Sequence, residues 1–380
     1  MIPYYVMTNN GYRDINSITT SDYVLSHDGN FHKVQAIQNI STKMADFQCP
    51  LSFGSTKLPL NSCIFGAEFY RSRDKLHLDS LRFVSIQDII AADLEYIEFK
   101  KHYVHARSQP HLYYAGTLSS NIEQYPKWFG TLRLNRRCGH YVMIPKRLDL
   151  SDPDLWYIMG CLMARGSCHK RNSGNHSVSF SVTIDTDTDS FLKRLSKFSS
   201  YRCALEPDDT DTHTDRYRFS IEDLELRELA SYVLRDSGIH SSAFNCNKII
   251  LNLPKNLQQA ILDGFMHYAG SIERDTHWVF SNINIADLLN MSQLILRTRN
   301  TSCSLCERQH KGNNRLIDYK LDFIYDIQRE SSQIRIDNFC MKVIRNVQPC
   351  DTEQYKVLVV KDSHSYLLNN MLVGDATLIK

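Results

Sequence analysis

Two segments of the chain, about a hundred residues apart, share a pattern that could bring reactive side chains together. Residues 155–167 and 262–271 each contain two glycines six positions apart, with apolar residues between them and a serine afterwards. These glycines are Gly160, Gly166, Gly264 and Gly270. Glycines allow two helices to approach closely, because they carry no side chain. Helices packed in this way bring their C-terminal ends together, so side chains at the two ends could act on one ligand.

The spacing of apolar residues predicts that both segments are amphipathic helices. Between residues 154 and 164, apolar side chains recur every three or four positions, which places them on one helical face. Asp152 followed by Pro153 is typical of a helix N-terminus, since proline is tolerated in the first turn. Residues 257–268 repeat the same spacing, so two similar helices are expected.

The elements around the two helices also recur, which predicts an internal repeat. After the first helix we expect a strand at 177–182, a helix at 189–198, a strand at 217–221 and a helix at 223–235. After the second helix we expect a strand at 277–283 and a helix at 285–297. This order indicates a two-fold pseudo-symmetric α/β region.

The two ends of the chain are predicted to be rich in β-strands. Asn10-Gly11 and Asp28-Gly29 are strong hairpin signals within the first hundred residues, which we expect to be mostly β. Near the other end, residues 355–360 are apolar and β-branched, and residues 366–373 form two short apolar runs. The α/β region is therefore expected to interrupt a single all-β domain.

Composition limits the protein to a few broad classes. Of its 380 residues, 42% are hydrophobic and 23% are charged, as in soluble globular proteins of two or three domains. The net charge of +2 does not indicate nucleic-acid binding, so any basic surface must be local. No apolar run approaches the ~18 residues that span a bilayer. With no secretory signal evident, we expect an intracellular protein with reduced cysteines and no membrane partner.

One cysteine spacing could bind a metal ion. Cys303 and Cys306 form a Cys-x2-Cys pair with His310 nearby, which is half of a tetrahedral zinc site. The other half would have to be brought near by folding. The alternative is an exposed loop with free thiols, because residues 301–315 are polar and basic.

The paired helix pattern resembles the doubled LAGLIDADG motif of homing endonucleases. Residues 6–34 and 355–375 resemble the opening and closing strands of a Hint (Hedgehog/intein) domain. Residues 93–97 also resemble a segment of such proteins. Together these features make the chain similar to homing endonucleases of the HO and vacuolar-ATPase-intein type. The resemblance covers nearly the whole chain and is weakest between residues 99 and 153.

The resemblance implies a mixed fold, in which an all-β Hint domain is interrupted by a two-fold LAGLIDADG endonuclease-like domain. The N-terminal part of the Hint domain, with a DNA-recognition region, would occupy 1–150. The endonuclease-like domain would occupy 151–335, with repeats at about 151–235 and 255–330, and the rest of the Hint domain 336–380. The resemblance also implies site-specific cleavage of double-stranded DNA with Mg²⁺ and a nuclear location. Because both repeats lie in one chain, we expect the protein to be a monomer.

The residues at the metal site depart from the family pattern. In the family, the residue just before the last glycine of each motif is an acid that binds the catalytic metal, but here these residues are Arg165 and Ala269. Arg165 would repel a cation and Ala269 offers no ligand atom, so Mg²⁺ binding and cleavage are expected to be lost or weakened. Glu273 is a possible substitute ligand. The predicted strands after the motifs also contain no lysine, which the family uses near its site.

Protein splicing is not expected either. Splicing members of the family begin with Cys or Ser, whereas this chain begins with Met1. They end in His-Asn, whereas the corresponding residues here are Gly374 and Asp375. The family also needs a histidine in a Thr-x-x-His element, and residues 61–66, which align best with it, contain none.

DNA binding is expected to be retained even where cleavage is lost, because binding depends on many phosphate contacts and cleavage depends on two acids. Basic residues in the middle of the chain are candidates for such contacts, and an ordinary basic surface is an equally good interpretation. The candidates are Lys100, Lys101, Arg107, Arg133, Arg136, Arg137, Lys146, Arg147, Lys170 and Arg171.

Three hypotheses follow. The leading one is a degenerate endonuclease homologue that binds double-stranded DNA, does not splice and is impaired in cleavage. The second is an active endonuclease with a shifted metal ligand, in which substitution of Glu273 abolishes cleavage. The third is a non-DNA interaction protein on a reused scaffold, whose binding would lack the steep salt dependence of phosphate contacts.

Overall fold

The computed structural model describes residues 4–49, 55–72, 75–78, 80–102, 108–118, 132–135, 141–144, 148–170, 176–183, 186–206, 216–233, 250, 253–273, 277–282, 284–299, 303–309, 317–324, 334–336 and 339–375. The chain divides into two compact units, one from residues 1–122 with 272–380 and the other from residues 123–271. The expected mixed α and β fold class is confirmed. The domain boundaries given above stay a prediction. Of the helices within the described ranges, none is both long and apolar enough to cross a membrane.

The strands from the two ends of the chain pair with one another. From the N-terminal end come β1 (Tyr5–Thr8), β2 (Gly11–Asp14), β3 (Tyr23–Leu25), β4 (Phe31–Gln48), β5 (Ser55–Pro59), β6 (Cys63–Ser72), β7 (Lys75–Leu78), β8 (Arg82–Ser85) and β9 (Ser108–Leu118). From the C-terminal end come β20 (Ile334–Ile336), β21 (Phe339–Val343), β22 (Arg345–Val360), β23 (Ser365–Leu368) and β24 (Met371–Gly374). Their order is β20-β21-β9-β6-β24-β23-β1-β3-β4-β22, with β2, β5, β7 and β8 attached to this path. The two ends therefore share one sheet, and its assignment as a Hint domain stays a prediction.

The predicted turns of this sheet are confirmed by the backbone angles. Gly11 and Gly29 have φ values of 89° and 82°, and each lies in the hairpin that its sequence signal predicts. Asn369 and Asn370, between β23 and β24, have φ values of 44° and 66°. Glycine adopts this left-handed conformation freely, and asparagine adopts it more readily than most residues.

Helix α1 (Ile86–His102) was not predicted, although strands β1–β8 confirm the expectation that the first hundred residues are mostly β. Ile86 and Ile89, one turn apart, are buried. The carboxylate of the buried Asp93 accepts a hydrogen bond from the main-chain N–H of Val347 at 2.9 Å. Because this partner lies far away in the sequence, the local pattern alone did not indicate the helix.

The predicted internal repeat is present and is longer than the sequence indicated. The first copy contains α2 (Pro153–Arg165), β12 (Gly166–Lys170), β13 (His176–Thr183), α3 (Thr186–Leu195), β14 (Tyr201–Glu206), β15 (Arg216–Ile221) and α4 (Leu224–Val233), and follows a hairpin of β10 (Leu132–Asn135) and β11 (Tyr141–Ile144). The second contains α5 (Lys255–Tyr268), β16 (Ser271–Glu273), β17 (His277–Asn282), α6 (Ile285–Arg299), β18 (Ser304–Gln309) and β19 (Ile317–Ile324). The sheets have the same order, β12-β13-β15-β14 and β16-β17-β19-β18. Each copy thus contains an αββαββ unit, which α4 follows in the first copy. The strands β12, β14, β16, β18 and β19 were missing from the prediction.

A buried polar network fixes α6 against the sheet formed by the chain ends. The side-chain oxygen of Asn290 accepts a hydrogen bond from the main-chain N–H of Tyr12 at 2.9 Å. The Asn370 amide donates to Ser292 Oγ at 2.8 Å, and its oxygen accepts from the Tyr12 hydroxyl at 2.7 Å. Buried polar groups need such partners to offset their desolvation, so this contact fixes the helix in one position.

Candidate functional site

The two motif helices, α2 and α5, pack with their backbones in contact at the predicted glycines. A Cβ atom added to Gly160 would lie 2.1 Å from the carbonyl oxygen of Ile261. A Cβ atom added to Gly264 would lie 2.1 Å from the carbonyl oxygen of Tyr157. Each carbonyl belongs to the residue three positions before the opposite glycine, so the contact is two-fold pseudo-symmetric. This arrangement requires glycine at both positions and confirms the predicted pairing of the helices.

Apolar packing and two polar contacts hold this pair in place. Trp156 and Phe265 are fully buried among the large side chains of the helices. The Tyr157 hydroxyl and His267 Nδ1 share a hydrogen bond of 2.6 Å between the helices. The guanidinium of Arg194 lies 4.1 Å from the centre of the Tyr157 ring, a cation–π contact from α3.

The C-terminal ends of the helices carry the residues that the family resemblance assigns to metal binding. Arg165 is exposed, and its Nε donates a hydrogen bond to the main-chain carbonyl of Tyr268 at 3.0 Å. Ala269 is nearly buried and caps α5, with its N–H donating to the Phe265 carbonyl at 2.9 Å. At the end of α2, the guanidinium of Arg165 therefore bonds to the end of α5. At the end of α5, the corresponding side chain is the methyl group of Ala269.

These residues do not fit a divalent metal ion. Neither Arg165 nor Ala269 offers a ligand oxygen, and Mg²⁺ is bound through carboxylate oxygens and water. Asp263 lies almost two turns before Ala269 and accepts a hydrogen bond from the Gln259 amide at 2.7 Å. Glu273 lies on β16, but its side chain is outside the described residues. Across the described part of the chain, no three His, Cys, Asp or Glu side chains form a group that could hold a metal.

The first sheet has one apolar and one polar face. Phe180 on β13 and Phe219 on β15 are paired and buried. The neighbouring residues of β15 point the other way, because side chains alternate along a strand. Among them is the exposed Arg218. On the edge strand β14, the side chain of Arg202 is 84% exposed and forms an ion pair with Glu222.

The second sheet repeats this arrangement. Phe280 and Leu321 are paired and buried, and Lys320 follows on the opposite face. Asp322 lies on the same face as Lys320, with its carboxylate 3.0 Å from His277 Nδ1 and 3.9 Å from Lys320 Nζ. This face is therefore polar and carries groups of both charges.

A basic residue occupies the same position of each sheet. Arg218 pairs with Ser181, next to the buried Phe180 pair. Lys320 pairs with Ser281, next to the buried Phe280 pair. Sequence analysis missed Arg218, Arg202 and Lys320. The signal that could have revealed them is the alternation of polar and apolar residues in segments 216–221 and 319–322.

The structure leaves the predicted phosphate-binding residues largely untested. Lys100 and Lys101 lie in the last turn of α1, Arg133 lies on β10 and Lys170 lies on β12, but their side chains are outside the described residues. The remaining candidates lie outside the described residues altogether. They are Arg107, Arg136, Arg137, Lys146, Arg147 and Arg171. The extended basic patch therefore stays a prediction.

The proposed zinc ligands do not converge within the described residues. Cys303 is buried and Cys306 is exposed. Cys306 pairs with Lys320, so it lies on the polar face of its sheet. His310 lies outside the described residues. The zinc site stays a prediction, and the alternative of an exposed loop does not describe Cys303, which is buried, or Cys306, which lies on β18.

The positions that the Hint resemblance aligns with splicing residues have a structural role where they are described. Gly374 ends β24, and Asp375 is fully buried. The Asp375 carboxylate accepts a hydrogen bond from the main-chain N–H of Val360 at 2.8 Å and lies 3.5 Å from His364 Nδ1. Met1 lies outside the described residues. The buried carboxylate thus joins the last strand to β22.

Comparison with known proteins finds similarity only among solved structures. No protein-family profile matches the sequence, and no curated protein matches it. I-DmoI, in complex with its target DNA in the presence of Mn, is 15% identical, with 45% of this chain and 88% of that chain covered and a TM-score of 0.31. The homing endonuclease I-WcaI, bound to its DNA recognition sequence, is 10% identical, with coverage of 46% and 76% and a TM-score of 0.32. The N-terminal LAGLIDADG domain of DUF199/WhiA is 12% identical, with coverage of 45% and 74% and a TM-score of 0.30.

These similar structures are LAGLIDADG homing endonucleases and a LAGLIDADG domain. The portion of this chain that they cover is less than half. At TM-scores near 0.3 they do not assign a function to the chain, whose own geometry has to support one.

Proposed function

We propose that this protein binds double-stranded DNA through a degenerate, two-fold LAGLIDADG-type scaffold and that it is impaired in metal-dependent cleavage. The observation that carries this proposal is the helix pair. Its motif glycines meet as the pattern requires, while the side chains at the helix ends, Arg165 and Ala269, cannot bind a metal. The scaffold is thus retained and its expected chemistry is not.

The repeated basic position supports DNA as the ligand. Arg218 and Lys320 lie at corresponding register positions of two sheets, each next to a buried aromatic or aliphatic pair. Residues on the polar face of a sheet can contact phosphates and base edges. A charge that recurs in both repeats is expected for a ligand whose own backbone is repetitive and negatively charged.

Loss of cleavage follows from charge and ligand chemistry. Family members hydrolyse the phosphodiester with metal ions held by two acids, which activate water and stabilise the leaving oxygen. Here Arg165 adds a positive charge at that place and Ala269 adds nothing. The binding surface needs neither acid, so binding survives their replacement.

We also propose that the sheet formed by the chain ends is a Hint-type domain without splicing activity. The pairing of β22 with β4 and of β24 with β6 supports a single domain built from both ends. Asp375 carries a carboxylate where the splicing residue would carry an amide nucleophile. Its hydrogen bond with Val360 gives it a role in stability instead.

Binding to a mixed-sequence DNA duplex at increasing salt tests the proposal. Fluorescence anisotropy of labelled duplex should give an affinity that falls steeply with salt, because each neutralised phosphate contributes about 0.9 to the logarithmic slope. Affinity without salt dependence would favour the non-DNA interaction protein instead. Cleavage of the duplex with Mg²⁺ that disappears on Glu273→Gln substitution would favour the active endonuclease with a shifted ligand.

A further inference from the structure

The guanidinium of Arg165 is anchored at one nitrogen, and the part of the chain that the structure describes gives it no ion-pair partner. Its Nε bonds to the Tyr268 carbonyl at 3.0 Å. Within the described part of the chain this is its only hydrogen bond, and no carboxylate forms an ion pair with it. Arginine has five N–H donors in a fixed planar fork, and this bond uses only the one at Nε. No described residue accepts a hydrogen bond from the two terminal nitrogens, which leaves them to an acceptor from outside this part of the chain.

The position also favours a positive charge. Arg165 is in the last turn of α2, and its bond reaches the C-terminal end of α5. Carbonyl groups at a helix C-terminus carry partial negative charge, which stabilises a nearby cation. Two such ends meet here, and the bond to Tyr268 holds the guanidinium beside them.

This arrangement disagrees with the metal that the family resemblance implies. A divalent ion at this place would need carboxylate ligands, and the chain offers a cation instead. The cation is covalently attached, so it needs no ligands and does not depend on metal concentration. Like a metal ion, the guanidinium can attract a phosphate, but unlike a metal ion it does not activate water.

We propose that Arg165 is a tethered cation that binds a DNA phosphate at the ends of α2 and α5 and makes DNA binding independent of divalent metal. The inference rests on the proposed DNA-binding function. Arginine suits this role better than lysine, because it can donate through Nε to Tyr268 while its two terminal nitrogens grip a phosphate bidentately.

Salt titration of Arg165→Gln tests the inference, with Arg82→Gln on β8 as a matched control. Arg82 is also exposed, and it lies in the other unit. Loss of one phosphate contact should lower the logarithmic salt slope by about 0.9 and weaken binding about five-fold at 0.15 M salt. The control should bind as the wild type does. Arg165→Lys, which keeps the charge, should retain most of the salt slope.

Comparing DNA binding with and without Mg²⁺ distinguishes this inference from a general loss of positive charge. At equal ionic strength, the wild type should bind DNA equally well in EDTA and in Mg²⁺. Unchanged binding by Arg165→Gln, or wild-type binding that tightens more than five-fold with Mg²⁺, would overturn the inference and leave the proposed function standing. No salt-dependent binding by the wild type would overturn both. Melting temperatures close to that of the wild type establish that the variants are folded.

Discussion

Arg165 and Tyr268 join the C-terminal ends of the two motif helices, because the Nε of Arg165 donates a hydrogen bond to the main-chain carbonyl of Tyr268. These residues are 103 positions apart in the sequence. A position that the LAGLIDADG resemblance assigns to a metal-binding acid thus carries a side chain that joins the two helices. Arg165 therefore has its own place in the packing of the two helices.

Restoring metal binding should therefore require both helix ends to change. Arg165→Asp with Ala269→Asp supplies two carboxylates at the meeting point of α2 and α5, and should bind Mg²⁺ in calorimetric titration. Each single variant has only one of the two carboxylates and should bind more weakly. Wild-type protein that binds Mg²⁺ as tightly as the double variant would contradict this prediction.

The motif glycines should be intolerant of any side chain. Gly160→Ala or Gly264→Ala places a methyl group 2.1 Å from a carbonyl oxygen of the opposite helix, so the helices must separate. We expect each to lose about 3 kcal/mol of unfolding free energy, as other overpacked cores do. The melting temperature should fall by roughly 6 to 12 °C.

Asn256→Ala, at an exposed position of α5, is the control for these variants and should change stability by less than about 0.5 kcal/mol. Equal losses at the two glycines are expected from the pseudo-symmetry of their contacts. A glycine variant as stable as the control would show that the helices are not in backbone contact.

The basic residues at corresponding positions should contribute similarly to DNA binding. Arg218→Gln and Lys320→Gln should each lower the logarithmic salt slope by about 1, and the double variant by about 2. Lys361→Gln, in the exposed turn after β22, is the matched control. If either sheet variant keeps the wild-type slope, that sheet does not contact phosphates.

Stability should fall in mild acid because of His27. Burial lowers the pKa of His27 below its ordinary value of 6.5, and its Nδ1 lies 2.8 Å from Ser365 Oγ. The unfolded chain then binds a proton that the folded protein does not, so stability is lost as pH falls below the unfolded pKa. Urea unfolding between about pH 7.5 and 5.5 should show this loss, and His27→Gln should reduce it. An identical pH dependence in the variant would contradict the assignment.

Sequence patterns predicted the features that depend on local chemistry. Apolar spacing predicted α2 and α5, and Gly160 with Gly264 indicated that they pack closely. Turn residues such as Gly11 and Gly29 predicted hairpins, because few residues tolerate positive φ. These signals need no knowledge of distant partners.

Features that depend on distant partners were not predicted. Helix α1 is stabilised by the hydrogen bond between Asp93 and Val347, and no local sequence pattern predicts that bond. Strands β12 and β16 are too short to show alternation. The LAGLIDADG resemblance predicts an acid at the position of Arg165, but the bond of Arg165 to Tyr268 depends on how the two helices pack.

The most direct test of the proposed function is to incubate the wild-type protein with sheared genomic DNA in Mg²⁺ and to sequence the fragments that it retains, including their ends. We predict recurrent retention of particular fragments with ends no different from those of the input, because the scaffold binds DNA and the helix ends cannot hold the metal. New ends recurring at one site would contradict the interpretation of Arg165 and Ala269. No enriched fragment would contradict sequence-preferring DNA binding itself.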